Sequence, residues 1–259
     1  MSAPAAVALE TYRFEPIGLE ELVTEAELLH RVDRKYLMTL PDALTAIGTL
    51  DDRVRVLEID GERRSPYATM YFDTPEFLSY RLAATGRRRR FKVRSRAYVQ
   101  TEAAYLETKV RGMRGLTVKE RIAHPFDAAR ELTDEGRVYA GEAISALGFQ
   151  DDVAGSLRPT LHTGYRRTTL LLPEGSRATI DTDLEWIDAW GNRIFRPDLA
   201  IVETKSPSAP STFDRSLWRA GLRPVGISKF ATGLAAMRPE LPSNKWHRVL
   251  SRFFTKENS

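Results

Sequence analysis

Between Arg88 and Arg96 every second residue is basic: Arg88, Arg90, Lys92, Arg94 and Arg96, with Phe91, Val93 and Ser95 among the intervening positions. A β-strand sends successive side chains to opposite faces, so this spacing predicts one face that carries five cations. Arginine holds phosphate through a planar fork and lysine through a compact point charge, so such a face is suited to a polyanion. The same parity recurs in Arg31/Asp33/Lys35, Glu107/Lys109, Lys119/Arg121, Tyr165/Arg167, Arg177/Thr179/Asp181/Asp183 and Glu203/Lys205. Any one of these pairs fits a solvated face of an ordinary sandwich. Their repetition predicts instead a sheet that closes with its charged faces inward and its apolar faces covered by helices.

Other chemistries are excluded. With no cysteine in 259 residues there is no disulfide, thiolate metal site or cysteine nucleophile, which fits a reducing compartment. His30, His124, His162 and His247 form no metal-binding spacing, and no Walker-type glycine loop, nucleophile elbow or kinase signature occurs. Any nucleotide must therefore be gripped by side chains. The net charge is only +4, from 39 basic and 35 acidic residues, so the distribution of charge matters more than its sum. Aromatic residues interleave with the basic run only at Phe91 and Tyr98, so nucleic acid is not an expected partner. The first residues lack a secretory signal pattern and no apolar stretch is long enough to span a bilayer, which predicts a soluble, cytoplasmic protein.

The elements that must position these residues follow from periodicity. Helices are expected over 18–30, 41–50, from Thr74-Pro75 to about 86, over 126–150 with Leu132, Val138, Ala143, Ile144 and Leu147 buried, and over about 213–220, 230–237 and 243–255. Strands are expected over about 31–40, 53–60, 66–73, 87–99, 103–111, 116–124, 160–172, 176–184 and 199–205, with a hairpin turn at Gly112–Gly115 and a flexible connection at 206–212. Asp73 reads as a strand-end or capping residue. The C-terminal helix, with Trp246, Val249, Leu250, Phe253 and Phe254 against Lys245, Arg248, Arg252 and Lys256, reads as a packed cover, with an interfacial or partner-docking helix as the alternative. The organisation read is a loose arm (1–17), one β-rich domain (18–240) and a C-terminal helix and tail (241–259).

Taken in order, RVDRKY (31–36), YFDTP (71–75), KVRSRAY (92–98), ETK (107–109), VKER (118–121), YRR (165–167), RATIDTDL (177–184), IVETK (201–205) and SKF (228–230) resemble the VTC domain. That is the polyphosphate-polymerase domain of the vacuolar transporter chaperone complex, in the triphosphate tunnel metalloenzyme (CYTH-like) superfamily. The resemblance spans about 20–238. It implies an α+β fold: a closed antiparallel barrel of about eight strands forming a basic tunnel, with covering helices. It assigns Lys35, Arg94, Arg96, Lys109, Arg167, Arg177 and Lys229 to catalysis on phosphate, Lys119, Tyr165, Ser228 and Lys205 to substrate binding, and Glu203 to a Mn2+ or Mg2+ ion. Asp33 stands where the family often has glutamate, and Gly226 where the eukaryotic polymerases carry a basic residue.

The function so implied is transfer of the γ-phosphate of ATP onto a growing polyphosphate chain, with ATP and inorganic polyphosphate as partners and a membrane protein as a conceivable further one that would hold the protein at a membrane. The alternatives are a triphosphate or tripolyphosphate hydrolase of the same superfamily and a non-catalytic polyphosphate-binding module.

Overall fold

The computed structural model describes residues 10–25, 32–112 and 117–255. In chain order these form β1 (Glu15–Ile17), α1 (Leu19–Glu25), β2 (Val32–Thr39), α2 (Leu40–Gly48), β3 (Arg55–Leu57), β4 (Ser65–Asp73), α3 (Leu78–Ala84), β5 (Arg90–Tyr98), β6 (Ala103–Arg111) and β7 (Thr117–His124). They continue as α4 (Asp134–Ser145), α5 (Asp152–Gly155), β8 (Arg158–Leu171), β9 (Arg177–Asp188), β10 (Arg193–Arg196), β11 (Leu199–Ser206), α6 (Thr212–Arg219), α7 (Lys229–Met237) and α8 (His247–Phe253). The fold is α+β. Among the described residues no helix is long and apolar enough to cross a membrane.

The chain forms two compact units assembled from separate segments. The first comprises residues 1–66, 165–184 and 195–227, and the second 67–164, 185–194 and 228–259. In the first unit β11 lies between β2 and β9 in antiparallel register, and α2 and α6 contribute Ala43, Ile47, Phe213 and Leu217 to a core shared with Tyr36, Met38, Ile180 and Val202. In the second, β4, β5, β6 and β7 pair antiparallel in sequence order. Their apolar face, with Phe72, Phe91, Val93 and Leu106, packs on Ala140 and Ile144 of α4.

The sheet's main path runs β2-β11-β9-β8-β4-β5-β6-β7. The path has two ends, β2 and β7, and among the described residues no ladder joins them, so the barrel closure that the resemblance implies is not confirmed. Alternation dictates which face is charged, whereas closure depends on strand tilt and stagger, which alternation does not encode. Strand β7 has the character of an edge, exposed along Thr117–Arg121 with Lys119, Glu120 and Arg121 in water.

Local departures have local causes. The helix expected from Thr74-Pro75 starts only at Leu78, because Phe77 has left-handed backbone (φ 59°) and Thr74 instead accepts the Leu78 N–H. Asp73 is indeed a cap: its carboxylate accepts the N–H groups of Thr74, Ser79 and Tyr80 at 2.8–2.9 Å. Residues 126–133 are not helical, and Val138 is 64 % exposed while Gly136, Ala140 and Ile144 face the sheet. In α1 only Leu22 is buried, Leu19 and Val23 being exposed, and the rest of that expected helix lies outside the described residues, as do Arg31 and most of the 112–115 turn. At 206–212 the expected flexible connection is anchored, because Ser211 and Asp214 form a capping box at the start of α6. The C-terminal segment packs as a cover, with the Trp246 ring 5.6 Å from that of Tyr80 and the Phe254 ring 5.6 Å from that of Trp186.

Candidate functional site

Four of the five alternating cations, Arg90, Lys92, Arg94 and Arg96, lie on β5, which begins only after Arg88; its residues alternate strictly between half-buried and buried, with Phe91, Val93, Ser95 and Ala97 on the core side. Register then lines up the charges across three strands. Lys92 stands opposite Lys109, which stands opposite Lys119; Arg94 stands opposite Glu107, which stands opposite Arg121. Three ammonium groups in one row repel one another, and nothing in sheet pairing alone favours that arrangement. Lys109 and Lys119 are exposed.

Glu107 is the counter-ion of this face. Arg94 donates from Nε and Nη2 to its Oε2 at 2.7 and 2.5 Å, and Arg96 Nη1 lies 3.6 Å from its Oε1. Burial raises the Glu107 pKa, but Arg94, Arg96 and Arg121 outweigh burial and hold it below the ordinary carboxylate value. Glu107 thus lies in the field of three guanidinium groups, and the Nε of Arg96 is buried without a hydrogen-bond partner among the described residues. Tyr71, opposite Arg94 on β4, accepts a long 3.4 Å contact from Arg94 Nη1 and stacks on Phe230 at 4.9 Å.

Lys92 reaches from the same face to Ser228 Oγ at 3.1 Å, with its ammonium 5.7 Å from the Tyr71 ring and 5.4 Å from the Phe230 ring. Ser228 caps α7, accepting the Ala231 N–H, so the positive end of that helix and the Lys92 charge meet at one hydroxyl. The Lys229 carbonyl accepts the indole N–H of buried Trp186 at 2.8 Å, which fixes where the helix begins.

The first unit carries its own charged face. Here Lys35 stands opposite Glu203, which stands opposite Thr179, and Asp33 opposite Lys205, which stands opposite Arg177. Glu203 receives two lysines, Lys35 Nζ at 3.5 Å and Lys205 Nζ at 3.4 Å. Burial, reinforced by Arg177 and Arg167 and opposed by Glu203 and Asp33, lowers the Lys205 pKa to about 8. Arg167 forms a two-point fork with Asp181, 2.6 and 2.8 Å, and sits over the Tyr165 ring at 5.2 Å. Asp183 leaves the run, since its backbone is left-handed (φ 51°) and its carboxylate pairs with Arg64 at 2.8 Å.

Behind this face lies a network that the sequence does not announce. Buried Asp214 of α6 accepts from Tyr36 Oη and Thr204 Oγ1 at 2.6 Å and from the Ser211 backbone and hydroxyl at 2.8 and 2.9 Å. Tyr36 and Thr204 adjoin Lys35 and both Glu203 and Lys205 in sequence, so Asp214 holds β2 and β11 from the buried side and fixes the aim of the charged one. Lys92 and Tyr71 are also additions to the residues assigned from the motifs; the basic alternation and YFDTP already contained both.

A scan of family models matches the VTC domain over residues 30–238. The chain belongs to the VTC domain family. No curated protein matches it. Solved structures to which the chain shows similarity include PH1819 from Pyrococcus horikoshii OT3, 10 % identical over 80 % of this chain and 99 % of that one, TM-score 0.45. Another is HpAC1 from Hippeastrum, whose description reports a dominant triphosphatase activity, 15 % identical over 83 % of this chain and 99 % of that one, TM-score 0.49. A third is a conserved hypothetical protein of Pyrococcus furiosus, 14 % identical over 74 % and 88 %, TM-score 0.38.

The family resemblance implies a divalent ion, which would need hard oxygen ligands. Among the described residues no group of three or more His, Asp or Glu side chains is placed to hold a metal. Glu203 supplies one carboxylate, already neutralised by two lysines. The residues fit a hard cation that takes its remaining ligands from phosphate oxygens and water, and they do not fit a cation bound to the protein alone.

Proposed function

We propose that this VTC domain is a polyphosphate polymerase, transferring the γ-phosphate of ATP onto the end of an inorganic polyphosphate chain. The observation that carries the reading is the Lys92–Lys109–Lys119 row beside the Arg94–Glu107–Arg121 row, basic side chains of three strands aligned on one face that suits a polyanion.

Phosphoryl transfer asks the protein to position and to neutralise rather than to form bonds itself. A terminal oxygen of the chain attacks Pγ, the bond from Pγ to the β,γ-bridging oxygen breaks, and ADP leaves. Arg94, Arg96 and Lys109 would hold the phosphate oxygens, with Lys119 at the exposed edge. Lys92 and Ser228 would bind at the N-terminus of α7, with Lys229 beside them. Lys35, Lys205 and Arg177 would neutralise charge next to Glu203, while Arg167, held by Asp181, would act mainly by keeping Tyr165 and the floor in place. A Mn2+ or Mg2+ ion, held by Glu203, would supply Lewis-acid neutralisation of the phosphate oxygens.

Incubation of the purified protein with ATP and Mn2+, with products resolved on a gel, tests this. Long phosphate chains plus ADP are expected. Free phosphate without chains would make it a hydrolase, and unchanged ATP a binding module.

A further inference from the structure

The second unit contains an aromatic platform that the phosphate chemistry does not use. Trp190 lies 54 % exposed at the tip of the β9–β10 hairpin. It is held there by Asp188, whose Oδ1 accepts the N–H groups of Trp190 and Asn192 at 2.9 Å, while Oδ2 accepts from Asn192 Nδ2. The Arg238 guanidinium covers one face of the indole, 3.5 Å from its centroid, and is itself 3.3 Å from Glu240. Phe77 approaches at 6.3 Å with a 38° tilt. Phe77 is also the bulky residue with left-handed backbone (φ 59°), a conformation that costs energy and is maintained only where the surroundings demand it. Together Phe77, Arg158, Pro159, Thr160, Ala189 and Trp190 line a surface hollow of about 300 Å³. Arg158 at its rim is exposed and makes no ion pair among the described residues.

Helix α7 links this hollow to the phosphate residues. Ser228, bonded to Lys92, caps its first turn, and Arg238, stacked on Trp190, is its C-terminal cap. The caps Ser228 and Arg238 flank nine helical residues, so a rise of 1.5 Å per residue separates them by about 15 Å, comparable with the reach of a nucleotide's ribose and extended phosphates. A fixed, exposed indole backed by a guanidinium offers a π-face to a flat heterocycle, and such stacking is indifferent to which base it receives.

We infer that the hollow at Trp190 and Phe77 receives the base of a nucleoside triphosphate whose phosphates lie toward Lys92 and Ser228, with Arg158 on the ribose or α-phosphate side. This rests on the phosphate-binding reading above, and the two are separable by ligand. ATP and tripolyphosphate share the phosphates and differ in the base.

The experiment is titration calorimetry of both ligands, in chelator, against the full chain and its Trp190→Ala and Trp190→Phe variants. Wild type should bind ATP more tightly than loss of one phosphate-chain charge would predict. Trp190→Ala should weaken ATP about tenfold while leaving tripolyphosphate unchanged, and Trp190→Phe should retain most of the ATP affinity. Equal ATP affinity in wild type and Trp190→Ala, or a parallel fall for both ligands, overturns the base site while the phosphate reading stands. If wild type binds neither ligand, the phosphate reading fails and takes the base site with it.

Discussion

Lys205 is the residue whose chemistry is most open to a simple test. Its pKa of about 8, lowered chiefly by burial, means that it is mostly charged at pH 7 and mostly neutral at pH 9. Tripolyphosphate affinity should therefore lose the Lys205 contribution across that interval, even though the ligand itself becomes more anionic. A Lys205→Met variant should lack this loss, so the ratio of wild-type to variant affinity should fall as pH rises from 7 to 9; a ratio independent of pH would remove Lys205 from the binding set. The stability sign runs the opposite way. Because the folded pKa lies below the unfolded value of 10.5, the unfolded chain takes up the proton first as pH falls. This group's contribution is full above 10.5 and is lost between there and about 8.

Arg96 offers the complementary case, a cation whose removal should spare the fold. Glu107 keeps its 2.7 and 2.5 Å bonds to Arg94 when Arg96 is gone, so no carboxylate is stranded. A bound phosphate, by contrast, would lose a charge-assisted hydrogen bond of roughly 1.5–3 kcal/mol, about ten- to a hundredfold in affinity. Arg96→Ala should show that loss by calorimetry with a melting temperature within a few degrees of wild type. A collapse in melting temperature would mean that Arg96 is a structural partner of Glu107.

At the scale of elements, α7 is set by one close approach. A Cβ on Gly233 would stand 2.3 Å from Trp186 Cδ1 and 2.6 Å from its Nε1, and that same Nε1 donates to the Lys229 carbonyl. Gly233→Ala must therefore displace the helix or the indole, at about 1–3 kcal/mol, and Ser228 and Lys229 move with it. Gly226→Ala is the control, since a Cβ there meets nothing within 4 Å. Denaturant unfolding should show a clear loss for Gly233→Ala and almost none for Gly226→Ala. Equal midpoints for all three proteins would remove the packing argument.

These elements also divide what a sequence discloses from what it conceals. The rows on β5, β6 and β7 were legible because a period of two is fixed by each strand's own backbone, and register only slides the strands into line. The Arg167–Asp181 fork joins residues 14 apart and the Tyr36–Asp214 bond residues 178 apart, pairings that no local spacing specifies. The late start of α3 was hidden because left-handed backbone at Phe77 contradicts the residue's own preference. Val138 is exposed for a smaller reason: beside Ile144, α4 presents Gly136 and Ala140 to the sheet, two small residues that apolar counting passes over.

For the molecule as a whole, the charge arrangement dictates the order in which a metal and a polyanion can bind. Glu203 is shared by Lys35 and Lys205, so a free divalent ion gains little by approaching it. On the proposed reading a phosphate chain would draw the lysines and supply the missing oxygen ligands, which would make cation binding cooperative with the polyanion. Linkage then requires each ligand to strengthen the other by the same factor. Mn2+ alone should bind weakly to the wild-type protein, and tripolyphosphate should tighten it. In Glu203→Gln the amide keeps the size and loses the charge, so turnover of ATP with Mn2+ should be lost and the mutual strengthening should vanish. In chelator the same variant should bind tripolyphosphate more tightly than wild type, because two ammonium groups no longer share a carboxylate and the local field becomes more positive. Retained turnover would remove Glu203 from the metal role. Weaker tripolyphosphate binding in chelator would instead make Glu203 a structural tether for Lys35 and Lys205, whose loss lets both side chains swing away from the phosphate.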